Sequence, residues 1–560
     1  MEARAARHER GYRSVRAMLL VAALAWSCAG WAAAPVVVHV DVRTLGDVPV
    51  SGRLLVFAID AASARAKAKG APIKQVDVDP FAPTEVDVAA GEVHAISHGH
   101  GVDIDASRLA WPREFASLPP GDYVFQAVLD TNHDYAYRGR SGGDLESAPT
   151  PVHLPTTAPV SLTLDHMMPR RQPWVFPPGA LSQSAQRYLA RARESVHPID
   201  FVSPALTAFW GHPIHMRGWV LLPPGYEASG QARYPVVYDT HGFGGDDHSL
   251  SASAVTTYSA MAEKQMPPMI WVYLDQSSAT GTHEFADSVN NGPWGKALTQ
   301  ELIPSLESRY RMDARASGRL LTGHSSGGWA ALWLQTHYPK IFGGVWATSP
   351  DPVDFGNFSG VDLYAPHANL YRRADGSLTP IMRDHDKVID TFEGSSRMER
   401  VLGAYGGQMA SFEWVFSPRG PDGRPMPMFD RDSGAIDPDV VAYWRDHYDI
   451  VRYLVSNWPV LRPNLDGRLH VYVGDVDTFY LDGAVHRLQE ALVKLDAHAD
   501  IRFIPGKGHF DLCAEGNDHN ALLRQISWAM YSVARPGQAS CATPAHGCTG
   551  HGQGGSKPGG

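Results

Sequence analysis

The chain has 560 residues, of which 44% are hydrophobic and 19% are charged. This length is sufficient for two to four domains with large cores. The formal net charge is −10, so the chain lacks the basic surface that nucleic-acid binding requires, and we expect no nucleic-acid partner. Only four of the residues are cysteines, which excludes a fold that depends on disulfides.

Residues 1–34 have the pattern of an export signal. Five arginines precede an apolar stretch at 17–26, and small residues follow it. We expect cleavage near residues 32–34 and a secreted or periplasmic product. The apolar stretch is too short for a comfortable membrane span and no later stretch reaches one, so we expect no stable membrane insertion. An uncleaved anchor, or a lipoprotein acylated at Cys28, is the alternative.

Residues 35–165 predict a small all-β domain. Apolar and polar residues alternate at 36–42, 52–57 and 123–129, and Gly and Pro turns separate these stretches. The pattern favours an antiparallel, sandwich-like arrangement. Such a module either binds a glycan or serves as a packing domain for the rest of the chain, and we favour the packing domain.

Two polar clusters in this region have some features of metal sites. Residues 130–134 place three oxygen ligands at the spacing found in calcium loops. However, Tyr135 stands where the loop needs glycine, and Ser141 stands where a bidentate glutamate would bind. Three histidines lie within residues 94–100, close to two glycines. We interpret both clusters as polar loops and predict no metal and no cofactor.

Residues 319–329 contain the strongest functional motif. An apolar strand leads into Gly-x-Ser-x-Gly at 323–327, and a helical pattern follows. This spacing is typical of a sharp strand-to-helix turn that exposes a nucleophilic serine, here Ser325, between glycines that leave room for the turn. A second stretch, 239–245, is a glycine-rich loop after the predicted strand 234–238, of the kind that supplies an oxyanion-binding N–H group.

Two further strands bring the remaining catalytic candidates. The strand at 469–474 is followed by Asp475 and Asp477, and the strand at 501–504 leads into a loop that contains His509. Serine, acid and histidine thus follow one another in the chain order of an α/β-hydrolase, each after a predicted parallel strand. Asp475 lies nearer to the strand end and could instead cap the turn.

Five short stretches carry a family resemblance. They are Leu-Pro-Pro-Gly-Tyr at 222–226, His-Gly-Phe-Gly-Gly at 241–245, Asn-Gly-Pro-Trp-Gly at 291–295, Gly-His-Ser-Ser-Gly-Gly at 323–328 and Gly-His at 508–509. Together they resemble the putative esterase family, which includes esterase D, feruloyl esterases, enterochelin esterases and mycolyltransferases. The resemblance covers about residues 200–350 and 460–535.

The resemblance implies roles for the motif residues. Ser325 would be the nucleophile and His509 the general base. Asp477 would orient the histidine, and its spacing from the glycine at the strand end favours it over Asp475. The N–H groups of Phe243 and Ser326 would form the oxyanion hole.

Substrate contacts are expected from the loop at 276–294, which follows the predicted strand 269–273 at the same edge of the sheet. The candidate substrate-binding residues are Asp287, Ser288, Trp294 and, beside the nucleophile, His324.

The rest of the chain completes the predicted architecture. An α/β-hydrolase domain is expected over 166–535, with a helical insertion at about 355–458 that would form a lid or specificity region. Residues 438–451 within it predict one helix. The tail at 536–560 is rich in Gly, Ser and Pro and is expected to be disordered. Cys513 is the candidate to form a disulfide with a tail cysteine.

The sequence therefore predicts an exported serine esterase that forms an acyl-enzyme on Ser325. A carbohydrate-linked or siderophore-like ester is the expected kind of substrate. One alternative is an acyltransferase that uses the same three residues and passes the acyl group to an alcohol. Another is a non-catalytic envelope or glycan-binding protein with a relict site. The sequence does not determine the acyl group, the alcohol or the oligomeric state.

Overall fold

The computed structural model describes residues 36–43, 49–227, 230–403 and 407–538. The predicted export signal and almost all of the predicted tail, with its two cysteines, lie outside these ranges. Within them, no helix combines the length and the apolar character needed to cross a bilayer.

The chain divides into two compact units. Of the described residues, the first unit contains those up to Val78, together with Thr84–Leu129 and Leu145–His166. The second contains the described residues from Met167 onward, and it also includes two segments from earlier in the sequence, Asp79–Pro83 and Asp130–Asp144.

The first unit is built on a nine-stranded sheet. Its strands are β1 (Val37–Val42), β2 (Val50–Asp60), β3 (Val86–Ile96), β4 (Gly101–Asp105), β5 (Ala110–Trp111), β6 (Gly121–Asp130), β7 (Leu145–Ser147), β8 (Thr150–Leu154) and β9 (Val160–Met167). Helix α1 (Ala61–Ala68) follows β2. The order is β4-β1-β9-β7-β6-β2-β3-β5, and β8 pairs with β6. Every second residue of β1 is buried, as its alternating sequence predicts.

One pairing in this sheet departs from the expected antiparallel arrangement. β1 is antiparallel to β4 but parallel to β9. Alternation identifies a half-buried strand in either orientation, so the sequence pattern alone could not distinguish the two. The β domain ahead of the α/β region is nevertheless confirmed.

The second unit is an α/β-hydrolase built on an eight-stranded sheet, which confirms the predicted fold class. The strands are β10 (Val196–Val202), β11 (His215–Leu221), β12 (Val236–Thr240), β13 (Ile270–Leu274), β18 (Arg319–His324), β19 (Gly344–Thr348), β22 (Leu469–Gly474) and β23 (Ala499–Ile504). Their order is β10-β11-β13-β12-β18-β19-β22-β23. β11 is antiparallel to both neighbours, whereas all strands from β13 to β23 run parallel. The carboxyl ends of the parallel strands therefore meet at one edge.

Helices cover this sheet and account for its apolar strands. They are α2 (Tyr135–Arg138), α3 (Gln183–Glu194), α4 (Pro204–Trp210), α5 (Asp247–Ala262), α6 (Trp294–Ala297), α7 (Ile303–Arg309), α8 (Ser326–His337), α13 (Asp482–Lys494) and α14 (Ala521–Ala534). Every residue of β13 and of β19 is buried, as expected for parallel strands covered on both faces. Helix α8 is buried along all but its last residue, so the predicted nucleophile begins a central helix.

Short strand pairs and the insertion lie between the sheet strands. The pairs are β14 (Ser277–Ser278) with β15 (Gly281–Thr282), β16 (Asp287–Ser288) with β17 (Gly292–Pro293), and β20 (Pro380–Asp384) with β21 (Lys387–Thr391). The insertion adds α9 (Phe392–Leu402), α10 (Gln408–Phe416), α11 (Pro438–His447) and α12 (Ile450–Leu465). It thus contains a hairpin as well as helices.

The prediction of one helix over 438–451 is wrong. Helix α11 ends at His447, and α12 begins at Ile450. Asp449 separates them because its carboxylate accepts the N–H of Arg452 (2.8 Å) and caps the second helix. The same carboxylate accepts the N–H of Phe355 (3.0 Å), a contact with a distant residue that the local pattern does not reveal.

Candidate active site

Ser325 occupies a strained turn between β18 and α8. Its backbone lies in the left-handed region, with φ 59° and ψ −126°. A Cβ added at Gly323 would lie 2.2 Å from the carbonyl oxygen of Gly327, and one at Gly327 would lie 2.2 Å from that of Thr240. Both motif glycines are therefore required by the close approach of backbone to backbone.

His509 and Asp477 form a buried pair at the carboxyl edge of the sheet. His509 Nδ1 lies 3.0 Å from Asp477 Oδ2, and the two side chains are 3% and 0% exposed. Burial alone would raise the pKa of Asp477, but the hydrogen bond and the charge of His509 lower it below its usual value. The rival acid, Asp475, accepts the N–H of Gly506 (2.7 Å) and so holds the turn that follows β23. Of the two acids, Asp477 is the one that contacts the histidine.

His324 connects this pair to the turn at Ser325. Its ring centroid lies 4.4 Å from that of His509, and its Nδ1 lies 3.1 Å from Thr348 Oγ1. Burial and the neighbouring His509 lower the pKa of His324 to about 3. The ring is therefore neutral at physiological pH and packs against the face of His509.

Asp351 also lies beside Ser325, although no sequence motif includes it. The Ser325 hydroxyl donates to Oδ1 (3.3 Å), and the Ser326 hydroxyl donates to Oδ2 (2.6 Å). Burial raises the pKa of Asp351 to about 6. Glu284, which is fully buried, has its pKa raised far more by burial and then by Asp351. The available signal was position, since Asp351 follows β19 at the edge where the other catalytic candidates lie.

The loop at 241–245 lies against Ser325. A Cβ added at Gly242 would be 3.1 Å from Ser325 Cβ and 3.7 Å from its Oγ. The His241 ring holds the loop, with Nδ1 2.7 Å from the carbonyl oxygen of Gly242 and Nε2 3.0 Å from Asp275 Oδ1. Burial would raise the pKa of Asp275, but hydrogen bonds and charge from His241 lower it to about 2. Phe243, a predicted oxyanion residue, belongs to this fixed loop.

The other predicted substrate-binding residues are engaged within the chain. The Trp294 ring stacks on His283, with centroids 3.5 Å apart. Ser288 Oγ donates to a carbonyl oxygen of α10 (3.2 Å), and Asp287 Oδ1 accepts a backbone N–H of α6 (3.0 Å). The structure thus brings together Ser325, Ser326, His324, Asp477 and His509. In contrast, Asp287, Ser288 and Trp294 contact other parts of the chain.

Within the described residues, three carboxylates are close enough to hold a metal ion. One oxygen of each of Asp130, Asp134 and Asp144 lies within 4.8 Å of the others. Local hydrogen bonds account for this approach, because Asp130 accepts the N–H of Tyr135 (3.0 Å) while Asp134 and Asp144 accept from Ser141 (2.9 and 2.6 Å). We assign no ion to this loop.

Comparison with known families supports the resemblance carried by the motifs. The family model Esterase, described as Putative esterase, matches residues 213–386. The match includes the turn at Ser325, the loop at 241–245 and the first part of the insertion, while Asp477 and His509 lie beyond it.

Two curated esterases are similar to parts of the chain. The iron(III) enterobactin esterase of Escherichia coli (strain K12) is 31% identical over 86 residues, which cover 15% of this chain and 21% of that protein. Esterase Rv1288 of Mycobacterium tuberculosis (strain ATCC 25618 / H37Rv) is 34% identical over 162 residues, or 28% of this chain and 31% of that protein. The chain thus matches less than a third of the length of either relative.

Two solved structures that align with part of the chain are a ferulic acid esterase and an S-formylglutathione hydrolase. A ferulic acid esterase is 15% identical with a TM-score of 0.39, over 60% of this chain and 98% of that chain. An S-formylglutathione hydrolase from Agrobacterium tumefaciens is 15% identical with a TM-score of 0.36, over 60% of this chain and 95% of that chain.

The raised pKa of Asp351 predicts a pH-dependent stability. Its folded value of about 6 exceeds the ordinary unfolded value of about 3.9. Its stabilising contribution is therefore present below the unfolded value and is lost as the pH rises through about 6. Asp351→Asn cannot ionise, so between pH 4 and pH 8 the variant should gain stability relative to wild type, by at most about 3 kcal/mol. Urea unfolding of both proteins at pH 4 and pH 8 gives the difference in their free energies of unfolding. If this difference is the same at both pH values, the prediction is contradicted.

Proposed function

We propose that the protein is a serine esterase that hydrolyses a carboxylic ester through an acyl-enzyme on Ser325. One observation carries the proposal. The buried pair of His509 and Asp477 packs, through His324, against the turn that presents Ser325. A histidine beside a serine, itself oriented by a carboxylate, is the arrangement that activates a hydroxyl for attack on an acyl carbon.

The first step is the activation of Ser325. With Nδ1–H donated to Asp477, the Nε2 atom of His509 is left to accept a proton. In the structure, the Ser325 hydroxyl donates to Asp351, so it must turn from that carboxylate toward His509. The Oγ atom then attacks the ester carbonyl carbon, and the proton passes to Nε2.

The second step is the stabilisation and collapse of the tetrahedral intermediate. We propose that the N–H groups of Phe243 and Ser326 bind its oxyanion, the latter at the N-terminus of α8. His509 returns the proton to the leaving alcohol, and an acyl-enzyme remains. Water activated by His509 then releases the acid and restores the Ser325 hydroxyl.

We propose a small-molecule or carbohydrate-linked ester as the substrate, and a secreted or periplasmic site of action. The localisation rests on the basic and apolar pattern of residues 1–34. Because the chain has an acidic net charge, we propose no nucleic-acid partner.

Replacing the nucleophile tests the reaction. Ser325→Ala should lower turnover of a short ester by roughly 10⁴ to 10⁶-fold, because only substrate and oxyanion binding remain. The variant should also lose labelling by a fluorophosphonate probe. Ser326→Ala, which retains the backbone N–H, serves as the neighbouring control. Substantial hydrolysis by a folded Ser325→Ala protein would contradict the assignment of Ser325 as the nucleophile.

The two acids provide a second test. Asp477→Asn should lower turnover by about 10⁴-fold, because an amide does not hold the imidazole in the productive tautomer. Asp475→Asn is the matched control, and it should lose far less because that residue closes a turn. Steady-state kinetics of both variants decide the assignment, and a larger loss at Asp475 would reverse it.

A further inference from the structure

Three phenylalanines form an aromatic rim beside His509. We define this aromatic rim as Phe81, Phe479 and Phe510. The rings of Phe479 and Phe510 pack edge-on to His509, with centroids 4.9 and 5.1 Å from it. Phe479 and Phe510 lie 5.8 Å apart, and Phe81 packs edge-on to Phe510 at 5.5 Å. All three belong to the second unit, Phe81 through the segment Asp79–Pro83.

The aromatic rim is unusual because it is exposed. Phe510 is 67% exposed and Phe81 is 48% exposed, although large apolar side chains normally lose most of their surface on folding. Elsewhere in the second unit, rings such as Trp329 and Trp444 are fully buried. Contiguous exposed apolar surface at a reaction centre is typical of a ligand-binding surface.

The position of the aromatic rim indicates which part of an ester it would contact. In the proposed mechanism, His509 passes its proton to the oxygen of the leaving alcohol. Groups around the imidazole therefore border the alcohol rather than the acyl group. Edge-to-face packing against phenylalanine stabilises an aromatic ring beyond the burial of its area.

We propose that the aromatic rim binds the alcohol portion of the substrate, and that this portion carries an aromatic ring. The inference rests on the proposed esterase function and specifies its substrate. A ring joined to the ester oxygen through a short chain would pack against Phe510 and, further out, against Phe81.

Two acetate esters test the proposal. 2-Phenylethyl acetate and ethyl acetate share the acyl group, and their leaving alcohols have similar acidity, so the ratio of their kcat/KM values reports contacts to the ring. Wild type should favour the phenylethyl ester. Phe510→Ala should lower this ratio about 10-fold and Phe81→Ala about 3-fold. Phe510→Tyr should retain most of it, because the ring is kept.

Controls separate the possible failures. Phe209→Ala removes another exposed phenylalanine, one packed on Trp210, and should leave the ratio unchanged. Ethyl 3-phenylpropanoate places the ring on the acyl side, and a larger effect of Phe510→Ala there would overturn the assignment. If Phe510→Ala and Phe81→Ala leave the ratio of the two kcat/KM values unchanged, the proposal is also overturned. This holds whether or not light scattering detects a change of oligomeric state in these variants. If ethyl acetate is still hydrolysed, only the aromatic rim is refuted, whereas hydrolysis of no ester refutes the esterase function itself.

A different observation concerns the loop that carries Phe243. The Tyr137 hydroxyl donates to the carbonyl oxygen of Gly245 (2.9 Å), and its ring packs edge-on to Phe243 at 4.7 Å. A Cβ added at Gly244 would lie 3.3 Å from the Tyr137 carbonyl oxygen. Tyr137 is buried and belongs to the second unit through the segment Asp130–Asp144.

We infer that Tyr137 is a positioning residue for the oxyanion-binding N–H of Phe243. Tyr137 contacts the loop at two points, the Phe243 ring and the carbonyl oxygen of Gly245. Arg138 ties the same short helix to Ser277 Oγ (2.7 Å), close to Asp275, which supports the loop from its other side. An oxyanion donor acts through a fixed position, so loosening the loop should slow the reaction more than it weakens substrate binding.

The test of Tyr137 has a matched control. Tyr137→Phe loses one hydroxyl-to-carbonyl hydrogen bond of 2.9 Å, and Tyr123→Phe loses one of the same length to Pro119. Tyr137→Phe should lower kcat for ethyl acetate about 5-fold with KM within 2-fold, and Tyr137→Ala about 100-fold. Tyr123→Phe should change neither constant.

Binding of a trifluoromethyl ketone adds a readout that a purely structural role would not move, because its adduct with Ser325 places an oxyanion in the hole. Its Ki should rise about as much as kcat falls. An unchanged Ki, or equal losses in both Phe variants, would overturn the inference. Such a result would leave the esterase function intact, since wild-type turnover establishes that separately.

Discussion

The site depends on the close packing of three backbone segments around Ser325. A Cβ at Gly323 or Gly327 would lie 2.2 Å from a carbonyl oxygen, and one at Gly242 would lie 3.1 Å from the Ser325 side chain. This packing holds Ser325 at φ 59°, a conformation that a non-glycine residue keeps only when its surroundings impose it. The turn at 323–327, the end of β12 and the loop at 241–245 are therefore packed backbone against backbone, which leaves Ser325 little freedom to relax.

The buried charges around this unit respond to the partners that each one finds. Burial opposes ionisation of Asp477 and Asp351 alike, yet the pKa of Asp477 is lowered and that of Asp351 is raised. The difference lies in the donors. Asp477 accepts from a ring nitrogen that can carry positive charge, whereas the donors to Asp351 are two neutral hydroxyls, which compensate less for lost hydration. His509 also lowers the pKa of Asp351, but burial outweighs this effect. Asp477 is thus the carboxylate that is hydrogen-bonded to the imidazole, and Asp351 holds the two serines in place.

Much of the α/β fold could be predicted because buried parallel strands have a strong local signature. The predicted strand at 469–474 coincides with β22, and the predicted nucleophile turn joins a strand to a helix as expected. Spacing from the glycine at the strand end favours Asp477 over Asp475, but local pattern leaves Asp475 open because the two acids differ chiefly in their distant partners, His509 and Gly506. The break at Asp449 was missed for the same reason, since its carboxylate also binds Phe355.

The candidate site was predictable where chemistry fixes a motif and not where tertiary packing recruits a residue. Asp351, Tyr137 and Phe81 belong to no motif, and two of them lie far from Ser325 in sequence. Their segments, Asp79–Pro83 and Asp130–Asp144, interrupt the chain of the β unit but belong to the second unit. Residues on either side of these segments in sequence belong to the β unit, so no local pattern around Tyr137 or Phe81 indicates that they pack within the α/β unit.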